Sequence, residues 1–198
     1  LPRLWLAVLE AWVPFDSLLP FGIPFYTCQT LSYTLDIYRR QLEPTDSFFK
    51  FALFVAFLPQ LVAGPIVRAR EFLPQLEVEP DFDDRRAAGG VFLILVGLVK
   101  KVLLADVIGI ELVDAVYRDP ALYSPLEIAV GVWGALFQFY LDFSAYSDIA
   151  IGAAACLGFG LPLNFDRPFL AQSFGEFWQR WHITLSLFLR DYLFFPLG

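Results

Sequence analysis

The sequence predicts an all-α fold: a polytopic integral membrane bundle of short, kinked and re-entrant helices packed around an interior. Three observations predict it. Hydrophobic residues make up 58% of the 198-residue chain and charged residues 18%, whereas soluble domains average about 45–50% and about 25%. Several charge-free runs approach the length of a membrane span. Proline and glycine interrupt those same runs, and in hydrocarbon a broken helix survives only where protein or water covers it.

The composition also excludes classes of protein. Disorder requires low hydrophobicity, so it is excluded. Net charge is −7, from 14 basic and 21 acidic residues; nucleic-acid binding proteins need a basic surface instead, so we expect no nucleic-acid partner. A soluble helical core remains the simpler alternative, because runs of 10–14 apolar residues often mark buried helices. However, 22 Phe, 8 Tyr and 5 Trp are more aromatic side chains than a small core can bury.

Five charge-free runs of 13 to 19 residues lie along the chain, and a membrane-spanning helix needs about 20 residues, with a range of ~17–25. They are Ser17–Leu35, Phe51–Val67, Ala87–Val99, Ile128–Leu141 and Ile149–Phe165. The second run contains Pro59, Gln60, Gly64 and Pro65, which predict a segment that enters the membrane and returns. The basic clusters Arg39-Arg40, Arg68 with Arg70, and Arg85-Arg86 then fall on one side, which the positive-inside rule assigns to the cytoplasm.

Local signals mark several helix ends. Asp83 or Asp84 can cap a helix running through Val91–Leu104. Ser173 can cap the helix after Pro168, and Glu176 follows at the spacing of a capping box. Gly158 indicates a helix end.

Polar residues inside apolar segments are costly and mark function by default. Around Asp142, helical spacing puts Tyr146 on the same face and Asp148 on another, so the two carboxylates do not form an acid–base pair. The simpler interpretation is that Asp142 accepts a hydrogen bond from Tyr146. Further on, Asn164, Asp166 and Arg167 before Pro168 describe a turn, for which local pairing of Asp166 with Arg167 is the simpler interpretation.

The richest segment runs from Glu176 to Asp191. As one helix it would carry a charged stripe of Glu176, Arg180 and Asp191. His182, the only histidine, would project from the opposite side with Trp178, Leu185, Ser186 and Leu189. Desolvation there favours the neutral imidazole that a general base requires. The alternative is an interfacial helix with Trp178 and Trp181 as belt residues. One His with no Cys nearby cannot build a zinc site, so we expect no metal.

Several segments together resemble the membrane-bound O-acyltransferase family, in particular its alginate O-acetyltransferase branch. They are LPFGIPFYTCQTLSYTLDIYR (19–39), PQLVAGPIVRAREFLPQL (59–76), GLVKKVLLAD (97–106), DFSAYSDIAIGAAACLGF (142–159), NFDRPFLAQSFGEFWQRWHITLS (164–186) and LRDYLFFPLG (189–198). Relatives that acylate peptidoglycan or teichoic acid share much of this pattern.

The resemblance implies a tunnel through the bacterial inner membrane, an acyl donor such as acetyl-coenzyme A or an acyl carrier, no bound cofactor, and extracytoplasmic partner proteins. It makes His182 the histidine of the Trp-His-Ile-Thr-Leu-Ser motif, with Trp178, Arg180, Trp181 and Ser186 around it. Asp142, Tyr146, Asn164 and Arg167 would frame the tunnel. Arg180, Glu176 and Asp191 would hold the helix of His182 in place. The resemblance also implies a second histidine, the one usually regarded as catalytic in the family, in a motif that would lie beyond residue 198.

The start at Leu1 and the absence of Met indicate a processed product or an internal fragment, so we expect residues 1–198 to be part of a single membrane domain, truncated at both ends. Without the second family histidine, we expect this part to be inactive alone. The alternative function is a non-catalytic transporter or acyl conduit, because broken helices and buried charges fit a transport path equally well.

Overall fold

A computed structural model describes residues 23–61, 64–78 and 83–197. Within these ranges the chain is helical, with turns and extended connections and no strand. The all-α prediction is confirmed for this part of the protein. The predicted run Ser17–Leu35 lies outside the described residues up to residue 22, so the structure shows only its second part.

The first half of the chain forms short helices around a cluster of phenylalanines. Helix α1 spans Ile23–Tyr38 and α2 spans Phe48–Val55; a 3₁₀ turn, Leu58–Gln60, follows. Helix α3, Ala69–Phe72, leads directly into the 3₁₀ turn Leu73–Leu76. Phe54, Phe57 and Phe72 are buried at the centre, and Phe159 contacts two of them. The short α2 therefore packs one face against the core, while Phe48 and Phe49 on the other face are 75% and 83% exposed.

A long helical stretch, Asp84–Arg118, follows. It consists of α4 (Asp84–Leu98), a π-helix (Val99–Ala105), α5 (Asp106–Ile108), a second π-helix (Gly109–Val113) and α6 (Asp114–Arg118). Asp83 caps it as predicted, since its side chain accepts a hydrogen bond from the backbone N–H of Arg85 at 3.0 Å. π-Helical turns are rare and concentrate at functional sites, and the first one here carries Lys100 and Lys101.

Helix α7 spans Pro125–Cys156 and is capped by a reciprocal Ser124–Glu127 capping box. Its 32 residues give a length of about 48 Å, more than the ~30 Å hydrocarbon core of a bilayer. Among the described residues it is the one helix long and apolar enough to cross a membrane, and only 22% of its most apolar window is buried. The charge-free runs Ile128–Leu141 and Ile149–Phe165 were interrupted by Asp142 and Asp148. Both aspartates in fact lie within this one helix.

Helix α7 packs antiparallel against the stretch 84–118, and small residues allow the close approach. A Cβ on Gly152 would lie 2.5 Å from the carbonyl oxygen of Gly90, and a Cβ on Gly97 would lie 2.7 Å from that of Ala145. Nearer the turn of this hairpin, a Cβ on Gly131 would lie 2.9 Å from Val116. The two helices are therefore in backbone contact at several levels.

We predict that Gly152→Ala destabilises the protein by about 1–3 kcal/mol, because the added methyl group forces two backbones apart. The matched control is Gly89→Ala, on the partner helix next to Gly90, where an added Cβ meets nothing within 4 Å. That control is expected to be neutral or to stabilise by up to about 1 kcal/mol through helix propensity. Thermal unfolding of both variants in detergent checks the difference, and equal midpoints would contradict the packing.

Beyond α7 the chain turns at Gly158, whose φ of 86° confirms the predicted helix end. An extended connection leads to the 3₁₀ turn Pro168–Leu170, then to α8 (Phe174–Arg180) and α9 (Ile183–Leu189). Helix α9 continues through a π-helix, Arg190–Phe194, into α10, Phe195–Leu197. Ser173 caps α8 as predicted, accepting a hydrogen bond from the backbone N–H of Glu176.

Candidate active site

His182 lies at a sharp bend between α8 and α9. Its backbone is left-handed, with φ 41° and ψ 55°, and the preceding Trp181 is extended. The prediction of one continuous helix from Glu176 to Asp191 is therefore wrong. A left-handed residue with a Cβ is uncommon, although histidine tolerates it better than most, so the surrounding structure must hold this bend.

The connection 164–166 holds the bend from both sides. The backbone N–H of Asp166 donates to the carbonyl of Arg180 at 2.9 Å, and the N–H of Ile183 donates to the carbonyl of Asn164 at 2.9 Å. The Asn164 side chain is fully buried; its Oδ1 accepts from the Thr184 hydroxyl at 2.9 Å and its Nδ2 donates to Ser147 Oγ at 3.2 Å. Asn164 thus joins the histidine bend to α7.

The His182 imidazole is enclosed by aromatic rings. Its ring centroid lies 4.8 Å from that of Phe143, 6.3 Å from Phe165 and 6.4 Å from Phe25, and the residue is 8% exposed. Its Nε2 is buried and has no hydrogen-bond partner within the described part of the chain. A buried polar atom without a partner is costly. This nitrogen is therefore available to a group that enters the site.

Among the predicted neighbours of His182, Ser186 stays close, whereas Trp178 and Trp181 pack against other aromatic rings. Trp178 is 55% exposed and packs edge-on against Phe177. Trp181 points away from His182 into a cluster of other aromatic side chains: Phe139, Tyr140, Phe165, Phe169 and Phe177. Ser186 stays close, since its N–H donates to the His182 carbonyl and its hydroxyl to that of Trp181.

His182 lies outside the membrane-spanning candidate α7, and burial lowers its pKa to about 4. The imidazole is therefore neutral at physiological pH, as desolvation predicts. Because an unfolded chain takes up the proton first, the folded state loses stability as the pH falls from about 6.5 towards 4.

We predict that diethyl pyrocarbonate, which reacts with neutral imidazole, modifies His182 equally fast at pH 7.5 and pH 5.5. A histidine of ordinary pKa is about 90% protonated at pH 5.5 and would react about 10-fold more slowly than its neutral form. Mass spectrometry of the peptide containing His182, from the whole membrane protein, gives the rate. A 10-fold fall at His182 would contradict the low pKa.

The predicted ion pair of Glu176 and Arg180 is confirmed, and it stabilises the bend at His182. The guanidinium donates to Glu176 Oε1 at 3.0 and 2.8 Å and to the Asp166 carbonyl at 3.3 Å. The Gln172 backbone N–H and the guanidinium of Arg180 lower the pKa of the Glu176 carboxyl. Arg167 has a left-handed backbone and pairs with Asp166 at 3.1 Å, as the turn interpretation predicted.

Asp191 does not join that charged group, so the predicted stripe is wrong. It pairs with Arg68 at 2.8 Å and with Arg190 at 2.6 Å, and the Arg68 side chain is only 6% exposed. The next residue, Tyr192, donates to the buried Asp36 at 2.7 Å and lies 5.3 Å from the Arg68 guanidinium. From the sequence, Arg68 was placed in a basic cluster and Asp36 was not singled out, so it was missed that the two residues belong to one cluster with Asp191 and Tyr192.

Asp142 pairs with Lys101 at 2.6 Å rather than with Tyr146, and Asp148 pairs with Lys100 at 2.6 Å. The two carboxylates thus have different partners, in agreement with the predicted separation of their faces. These pairs tie the first π-helix to the middle of α7.

In the predicted re-entrant segment, Pro59 is half-buried while Gln60, Gly64 and Pro65 are buried. Gln60 Nε2 donates to the Phe54 carbonyl at 3.1 Å, and a Cβ on Gly64 would lie 2.5 Å from the backbone of Gln60. Glycine at position 64 is therefore required for the close turn. Across the residues that the structure describes, no three His, Cys, Asp or Glu side chains converge as metal ligands would.

The sequence of this chain matches a known protein family. The family model of MBOAT, the membrane-bound O-acyltransferase family, matches residues 11–198. The chain belongs to this family. It is 42% identical to the probable alginate O-acetylase AlgI of Pseudomonas aeruginosa over 192 residues, which are 96% of this chain and 36% of the relative.

Two other relatives show the breadth of the family. The peptidoglycan O-acetyltransferase of Helicobacter pylori is 37% identical over 207 residues, covering 91% of this chain and 39% of the relative. The teichoic acid D-alanyltransferase of Streptococcus thermophilus is 30% identical over 190 residues, covering 92% of this chain and 45% of the relative. This MBOAT chain therefore spans less than half the length of these relatives. The family match confirms the resemblance found in the sequence.

Proposed function

We propose that the chain is the part of an integral-membrane O-acyltransferase that contains His182, and that the whole enzyme transfers an acetyl group to a hydroxyl of an exported polysaccharide. The observation that carries the proposal is the buried Nε2 of His182, which faces an aromatic enclosure and has no hydrogen-bond partner among the residues that the structure describes. A neutral imidazole in a dry site can accept a hydrogen bond from an entering hydroxyl.

The chemistry assigned to this site is acyl transfer. The acceptor hydroxyl oxygen attacks the acyl carbonyl carbon, a C–O bond forms, and the bond to the donor's leaving group breaks. The hydroxyl proton moves towards a histidine and then to the leaving group. We propose that His182 Nε2 binds the acceptor hydroxyl. Holding this hydroxyl in line with the acyl carbonyl removes much of the entropic barrier. The aromatic enclosure excludes water that would otherwise hydrolyse the donor.

The same proposal places the enzyme in the bacterial inner membrane as a multi-pass protein, with a lipid bilayer around the hairpin of α7 and the 84–118 stretch. The exposed apolar side chains on α7, such as Trp133 at 63% and Phe139 at 55%, support contact with lipid. Acetyl-coenzyme A or an acyl carrier would be the donor, and extracytoplasmic proteins would complete the transfer. Alginate is the acceptor that the names of several relatives suggest.

The proposal is tested by deleting the whole gene in its host and measuring ester-linked acetate in the exported polysaccharide. Loss of acetate on deletion, restored by the full-length gene, is the expected result. A polysaccharide acetylated equally without the gene would overturn the proposed function.

A further inference from the structure

We propose that Thr184 is a positioning residue: its hydroxyl fixes the His182 bend to the buried segment 64–68 and so sets where the imidazole stands. This inference rests on the proposed function for its effect on catalysis, but its geometric part does not.

The hydroxyl of Thr184 both accepts and donates a hydrogen bond. It accepts a hydrogen bond from the backbone N–H of Ile66 at 2.9 Å and donates one to Asn164 Oδ1 at 2.9 Å. Asn164 Nδ2 then donates to Ser147 Oγ at 3.2 Å. All four residues are at most 5% exposed. In such a dry environment each bond is strong and each unmade bond is costly.

This chain of bonds joins four separate parts of the protein two residues from His182. They are the buried segment 64–68, the first turn of α9, the extended connection 164–166 and the middle of α7. His182 has an unfavourable left-handed backbone, and such a conformation persists only where its surroundings over-determine it. Within this network, the Thr184 hydroxyl bonds both to the backbone N–H of Ile66 and to Asn164, the residue that holds the bend.

A second contact between the same segments agrees with this role. Arg68, two residues after Ile66, pairs with Asp191 at 2.8 Å. Residues 184, 188 and 191 follow the spacing of one helix face, and Phe188 between the two contacts is buried. The segment 66–68 therefore lies along the helix that begins at the histidine bend. A displacement of this segment would be transmitted to the imidazole through Thr184.

The test uses the full-length enzyme with Thr184→Val, which keeps the shape of the side chain but leaves the Ile66 N–H unpaired and Asn164 Oδ1 with only the 3.4 Å bond from the Thr184 backbone N–H. We expect kcat for acetyl transfer to fall about 10–100-fold, since small misplacements have such effects, with KM for acetyl-coenzyme A unchanged. We also expect the rate of diethyl pyrocarbonate modification at His182 to change at least about threefold. Thr184→Ser keeps the hydroxyl and should restore both values.

Thr34→Val is the matched control, because the Thr34 hydroxyl is exposed and bonds only to its own helix at Thr30. If Thr184→Val fails to accumulate, Ser147→Ala replaces it. Removing this far end of the chain should shift the His182 modification rate in the same direction by a smaller factor.

Wild-type modification rates in both Thr184→Val and Ser147→Ala would overturn the inference, as would a kcat loss that Thr184→Ser does not rescue. The proposed function fails in a different way, through undiminished acetylation when the whole gene is deleted, so the two failures are distinguishable.

Discussion

Replacing His182 with Asn in the full-length enzyme is expected to lower polysaccharide acetylation by about 100-fold or more, the usual contribution of a positioned acid–base group. Asparagine is the sharper substitution than alanine. It tolerates the left-handed backbone that His182 adopts at φ 41°, so the bend survives while the imidazole is lost. Ester-linked acetate on the exported polysaccharide, normalised to the amount of enzyme in the membrane, measures the effect.

Tyr117→Ala serves as the control for this experiment. Tyr117 is 57% exposed at the end of α6, far along the chain from the bend, and its ring is also removed. It should retain acetylation within about twofold. His182→Asn with wild-type acetylation and normal abundance would remove His182 from the catalytic site.

Arg68→Leu is expected to have the largest effect on stability. The Arg68 side chain is 6% exposed, pairs with Asp191 and lies over the ring of Tyr192. Removing one partner of a buried ion pair typically costs about 3–5 kcal/mol, because the other charge stays buried without compensation. Arg190 still pairs with Asp191, so we expect about 3 kcal/mol. The measurement is the thermal midpoint in detergent, together with the amount of protein in the membrane.

Arg70→Leu is the matched control, with the same change of charge two residues away on an exposed side chain. Exposed substitutions usually change stability by less than about 0.5 kcal/mol. Equal midpoints for the two leucine variants would contradict the buried cluster around Tyr192.

Features fixed by neighbours in sequence could be predicted. Asp83 and Ser173 cap their helices because the N–H groups they accept from lie two or three residues ahead. Glu176 and Arg180 pair across one helical turn. The separation of Asp142 from Asp148 also follows from helical spacing alone, whichever partners they find.

Features fixed by distant segments could not be predicted. No Gly, Pro or Asn marks the bend at His182; it is held by Asn164 and Asp166, which lie 14 or more residues earlier. The lysine partners of Asp142 and Asp148 come from another helix. Asp36, Arg68 and Asp191 meet only through the tertiary fold. Each of these errors has the same origin, since a helix periodicity carries no information about long-range hydrogen bonds.

The central claim is that the acetyl donor and the acceptor hydroxyl meet at the buried Nε2 of His182. The most direct measurement is diethyl pyrocarbonate modification of His182 in the full-length enzyme, with and without acetyl-coenzyme A and an alginate oligosaccharide, followed by peptide mass spectrometry. We predict that saturating ligand slows modification of His182 at least about 10-fold while other histidines of the enzyme outside the site react as before. An unchanged rate at His182 under conditions where acetyl transfer proceeds would contradict the account.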